Sequence, residues 1–196
     1  MYAKKSVSMK VVVLLLAVVL LIGCVAGGTL AYLMAKSSTV NNTFVAGEIG
    51  TLTLSETTGN SYIVTPGVDI TKDPTVTFNG NNVAAYVFLK VDATGWTVSG
   101  SDTTYTYSIG TNQEMKWVLD GWTKLEDGVY YKEVAANAGA QSWSVIKENK
   151  ITVSSEITKA NISDYTEALS FTAYAIQKDG FTTVSAAWTQ AQTATN

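Results

Sequence analysis

Along most of this chain apolar and polar residues alternate one by one, which is the period of a half-buried β-strand and not of a helix. The alternation starts at Thr51-Leu52-Thr53-Leu54, where both leucines fall on one face, and is longest over 83–91. There Ala85, Val87, Leu89 and Val91 share a face read as core, while Tyr86, Phe88, Lys90 and Asp92 share one that passes from aromatic to solvated. It returns in Leu169, Phe171, Ala173 and Ala175, again read as inward-facing. Shorter strands are predicted over 62–64, 75–78, 96–98, 105–109, 115–119, 129–132, 142–146 and 150–153. Turn chemistry separates them at Thr57-Thr58-Gly59-Asn60, Pro66-Gly67, Asp120-Gly121 and Asp127-Gly128. Asn79-Gly80-Asn81-Asn82 predicts a hairpin joining 75–78 to 83–91, and Pro74 sets the start of the strand that follows it. Helical turns are expected only over 161–167 and 186–192, the second with a polar, fraying end. Many short strands between Gly and Asn turns, with no long amphipathic helix, predict an all-β fold, an antiparallel β-sandwich.

The first 43 residues carry a different pattern. Lys4, Lys5 and Lys10 precede an uncharged run over 11–35, whose strongly apolar part, 11–22, is followed by Gly23, Gly27 and Gly28. A cationic start, an apolar middle and a small-residue exit make a secretory signal helix, and the reading taken is cleavage after Ala31, so that Tyr32 opens the mature chain. Two alternatives compete with it. Leu21-Ile22-Gly23-Cys24 has the form of a lipobox, in which Cys24 would be acylated, and the whole uncharged run is long enough to remain as an anchor. The division that follows is signal peptide over 1–31, extended arm over 32–43 and β-sandwich over 44–196. In the arm Tyr32, Met34, Val40 and, just beyond it, Phe44 share the even-numbered face, interrupted by Lys36, Ser38 and Asn42. That pattern predicts a donor strand, able to leave its own domain and pair with a sheet edge of the next subunit.

Composition narrows the partners. Loss of the three leader lysines leaves ten lysines against 16 acidic residues in the mature chain, a formal charge of −6, and there is no arginine. No nucleic-acid partner is expected, and a bidentate anion site has no residue to build it. The membrane is met only through the signal peptide. Apart from Cys24 there is no cysteine, so core packing and sheet hydrogen bonds must hold the exported domain together without disulfides.

No histidine occurs anywhere in the chain, which excludes the Ser-His-Asp triad, the Cys-His pair and His-ligated zinc. No catalytic residue, cofactor or metal ligand is therefore assigned. Asp69 with Asp73, and Glu126 with Asp127, are carboxylate pairs of the kind that hold calcium through oxygen, but neither lies in an EF-hand loop, and turn carboxylates are the favoured reading. Tyr105 with Tyr107, and Tyr130 with Tyr131, offer aromatic pairs for a carbohydrate platform. Cross-strand packing is the favoured reading of both.

A series of motifs in this order closely resembles the TasA and camelysin family. The N-terminal motifs are Gly27-Gly28-Thr29-Leu30-Ala31-Tyr32, Asn42-Thr43-Phe44-Val45-Ala46-Gly47 and Leu52-Thr53-Leu54. Pro66-Gly67-Val68-Asp69-Ile70-Thr71-Lys72-Asp73-Pro74-Thr75-Val76, Ala85-Tyr86-Val87-Phe88-Leu89-Lys90-Val91, Asp127-Gly128-Val129-Tyr130-Tyr131 and Ala173-Tyr174-Ala175-Ile176-Gln177 continue the likeness over nearly the whole chain. The resemblance implies a jelly-roll sandwich, export through a dedicated signal peptidase of the SipW type, and a place on the cell surface or in the extracellular matrix. In the TasA branch that place is as a subunit of biofilm fibres. The camelysin branch has been classed as a metalloprotease. Three functions are therefore carried forward: a secreted fibre subunit forming a head-to-tail homopolymer by donor-strand addition, a camelysin-like surface metallopeptidase, and a monomeric secreted adhesion or binding module.

Overall fold

A computed structural model describes residues 9–10, 12–18, 48–59, 61–101, 103–158 and 169–193. The signal cleavage point at Ala31 and Tyr32, Cys24, the arm residues Met34, Val40 and Phe44, and the helical turn expected over 161–167 lie outside the described residues. The chain divides into two compact units, Met1–Val45 and Ala46–Asn196. In the first, residues 9–10 and 12–18 are helical. No helix among the described residues is long and apolar enough to cross a membrane.

The second unit is an all-β antiparallel sandwich, as the alternation predicted. Among the described residues twelve strands form three sheets. The three-stranded sheet orders β1 (Gly50–Ser55), β3 (Thr75–Gly80) and β10 (Ala140–Ser144). The five-stranded sheet runs β2 (Ile70–Thr71), β11 (Lys150–Val153), β7 (Gln113–Val118), β6 (Thr104–Gly110) and β5 (Thr97–Ser99). The four-stranded sheet runs β12 (Ser170–Gln177), β4 (Ala85–Asp92), β9 (Val129–Val134) and β8 (Thr123–Glu126).

The three sheets share one core, to which each contributes inward-facing apolar residues. Val76 and Phe78 come from the first sheet, Met115, Trp117, Ile151 and Val153 from the second, and Val87, Leu89 and Tyr130 from the third. Tyr105 on β6 stacks on Trp117 at 4.1 Å between ring centroids, and its hydroxyl meets that of Tyr130 on β9 at 2.6 Å. This bond ties two sheets across an interior where an unpaired hydroxyl would be costly.

Three expectations are corrected. Asn79–Asn82 does not close a hairpin: β3 pairs with β1 and β10, whereas β4 pairs with β12 and β9. The turn residues instead carry the chain from one sheet to another, and their polar groups are taken up locally. Asn81 N–H donates to the Ile49 carbonyl at 3.2 Å, and Glu48 N–H to the Asn82 side-chain oxygen at 2.9 Å. The second correction is at the C-terminus, where Val184–Thr193 is a packed helix and not a fraying turn. Val184, Ala187, Trp188 and Ala191 recur at helical spacing and cover the second face of the four-stranded sheet, made by Tyr86, Phe88, Tyr131, Tyr174 and Ile176. On β4 that face passes, as expected, from the buried Tyr86 and Phe88 to the exposed Lys90 and Asp92. The short strand expected over 62–64 is also absent; those residues lie outside any sheet.

Candidate functional site

β1 and β12 are the feature to which the fold gives no regular solution. Among the described residues each is an edge strand, β1 bonded to β3 alone and β12 to β4 alone, and although the two strands touch, no register pairs them. Unpaired edges leave backbone donors and acceptors free for another strand. Between the end of β1 and the start of β12 a cleft of about 610 Å³ opens toward the core. Leu54 and Glu56 form one wall and Leu169 and Phe171 the other, with Met115 and Ile151 of the opposite sheet at its base. Leu54 falls on the same strand face as Leu52 and is 36% exposed at this wall.

The cleft contains one ionic group. Lys72, in the short connection between β2 and β3, is only 6% exposed and is the one charged residue buried among the described residues. It donates to both oxygens of Glu56, at 2.8 and 2.9 Å, and its ammonium lies 4.8 Å from the Tyr62 ring centre and 5.8 Å from that of Phe171. The Tyr62 hydroxyl bonds to Glu56 and, at 2.6 Å, to the Gly59 carbonyl. Next to this pair, Asp73 accepts from the backbone N–H groups of Thr57 and Thr58, at 2.9 and 3.0 Å, and from both hydroxyls. These bonds, that from the Thr57 hydroxyl first, hold the Asp73 carboxyl well below the usual carboxylate range. Together the two acid groups fasten the turn leaving β1 to the connection entering β3, so the rim of the cleft is rigidly made.

The other sequence candidates do not converge on a site. Asp69 pairs with Lys150 at 3.4 Å while Asp73 caps the threonines, so these two acids face different partners. Glu126 accepts from the Trp188 indole at 2.8 Å, and Asp127 pairs with Lys124 at 2.8 Å, whose hydrogen bond and charge lower the Asp127 pKa. No group of three or more potential metal ligands occurs among the described residues. Tyr105, Tyr107 and Tyr130 are buried in the core, and Tyr131 packs edge-on to Tyr86, 6.3 Å between centroids. No aromatic platform is therefore presented by these pairs. The Lys72–Glu56 pair spans 16 positions, and nothing in the local pattern announces it.

No family model, no curated protein and no solved structure matches this chain.

Proposed function

We propose that this protein is a secreted structural subunit of extracellular fibres, which polymerises head to tail by adding its N-terminal arm to the sheet of the next subunit. The observation that carries the reading is the open cleft between the two unpaired edges, β1 and β12. An inserted strand gains main-chain bonds along an edge while alternate side chains fill the apolar space, and the arm supplies Tyr32, Met34, Val40 and Phe44 at that spacing. The chain enters β1 beside Glu48, six residues and, at ~3.3 Å per residue, about 20 Å from the wall at Leu54. A donor rooted at one end and an acceptor at the other make a heterologous contact that does not close on itself, which builds a filament.

In this reading export is the switch: cleavage after Ala31 by a SipW-type peptidase frees Tyr32 and the arm, without lipidation of Cys24. The motif resemblance to the TasA branch supports the same function. Electron microscopy of the purified chain beginning at Tyr32 tests it, with unbranched fibres expected. Monomers alone, at concentrations far above those of assembly, would favour the adhesion module instead.

A further inference from the structure

The chain has five tryptophans, and their indole nitrogens differ in how they are satisfied. Trp122 donates its indole N–H to the Ser144 carbonyl at 3.0 Å, and Trp188 donates to Glu126 at 2.8 Å. The indole nitrogens of Trp96 and Trp117 are buried without a hydrogen-bond partner among the described residues. A buried donor without an acceptor costs the folded state the hydration it has lost. Trp117 is enclosed in the core, 1% exposed and stacked on Tyr105. Trp96 stands elsewhere, on the wall of the cleft between β1 and β12, together with Met115 and Phe171. Its place is fixed: its backbone N–H donates to the Ala93 carbonyl at 3.0 Å, and its ring packs on Tyr107, 5.6 Å between centroids, and edge-on to Trp117 at 6.5 Å. The ring is only half-buried, so an occupant of the cleft meets it directly.

We infer that the Trp96 indole N–H serves the strand that enters the cleft, donating there to an uncharged side-chain oxygen of the arm, that of Ser38 or Asn42. The inference rests on the strand-addition reading above. Ser38 and Asn42 fall on the same even-numbered face as Tyr32, Met34, Val40 and Phe44, so an arm that seats its apolar residues in the cleft brings these oxygens in with them. An oxygen carried into an apolar cleft needs a donor, and the cleft holds a donor that needs an acceptor. Lys72, Glu56 and Tyr62 are already engaged with one another. Trp96 is the one residue lining the cleft whose buried side-chain donor is unpartnered among the described residues. The match is of a neutral group with a neutral group. A carboxylate or phosphate would find the one ammonium that lines the cleft, Lys72, already paired with Glu56.

The test titrates the chain beginning at Tyr32, below the concentration at which it assembles, with a labelled peptide of residues 32–44, and follows affinity and the indole N–H signals by NMR. The titration is repeated with peptides carrying Ser38→Ala or Asn42→Ala, and with the Trp96→Phe chain, which keeps an aromatic ring and loses the donor. The expected result is a downfield shift of the Trp96 N–H signal on binding, and affinity lowered about fivefold by Trp96→Phe, the worth of one neutral hydrogen bond. One of the two peptide substitutions should lower affinity as much, and Trp96→Phe should lower it no further for that peptide. An unmoved Trp96 signal would overturn this contact and leave strand addition standing, even with a loss of affinity, since the ring alone would then touch the peptide. Losses from Trp96→Phe that add to those from both peptide substitutions would overturn it too. Should Trp96→Phe fail to fold, the signal in the unsubstituted chain decides. Failure of the unsubstituted chain both to form fibres and to bind the peptide would overturn the strand-addition reading and this inference together.

Discussion

Lys72 and Glu56 meet through two hydrogen bonds, with side chains only 8% and 22% exposed, and the pair links the exit of β1 to the entry of β3 across the rim of the cleft. Removing one partner leaves the other charge poorly solvated among Phe171, Tyr62 and Pro74. Lys72→Ala is expected to destabilise the domain by about 2 to 4 kcal/mol in urea unfolding, toward the low side for a broken buried pair because Glu56 reaches water. Replacing both together, Lys72→Met with Glu56→Leu, should cost less than Lys72→Ala alone.

Asp73 gives the domain an acid-sensitive corner. Because hydrogen bonds from Thr57 and Thr58 lower its folded-state pKa below the ordinary 3.8, its stabilisation is complete above the ordinary carboxylate range and is lost as pH falls toward the folded value. Thermal melting between pH 6 and pH 2.5 should therefore decline less steeply at the acid end in Asp73→Asn than in the unsubstituted chain. Parallel acid limbs would show that Asp73 is not a source of the sensitivity.

The C-terminal helix is expected to be a structural element of the domain. Trp188 is 2% exposed, lies 5.2 Å from the ring centres of both Phe88 and Tyr174, and donates its indole N–H to Glu126. Trp188→Ala should cost about 3 to 5 kcal/mol, and it should raise binding of an apolar dye as the face around Tyr86 and Phe88 is uncovered.

How the sequence conveyed this fold depends on which interactions were local. Strand alternation is local, and the inward sets of β4 and β12 were legible from it, as was the start of β3 after Pro74. Pairing is not local. Asn79-Gly80-Asn81-Asn82 announces a reversal of the chain, but whether the next strand returns to the same sheet is decided by distant edges, here β1 and β10 for β3. The helix was underestimated because Thr, Gln and Ser surround its few apolar residues. Its clue lay a hundred residues upstream, in the aromatic second face of β4, which needed a cover. Lys72 drew no assignment from the sequence, since its partner Glu56 becomes a neighbour only when the exit of β1 and the entry of β3 are brought together.

Processing is checked by intact mass. The exported chain is expected to begin at Tyr32 and to carry no acyl group. A diacylglyceryl Cys24 or a retained Met1 would contradict the release of the arm on which assembly depends.

The central claim, that the arm of one copy fills the cleft of the next, is tested most directly by deleting residues 32–43 from the processed chain and examining the product by electron microscopy. The account predicts a folded, soluble monomer that forms no fibres, and whose melting temperature rises when the arm is added back as a peptide, because a ligand that binds only the folded state stabilises it. Fibres that assemble normally from the truncated chain would contradict it.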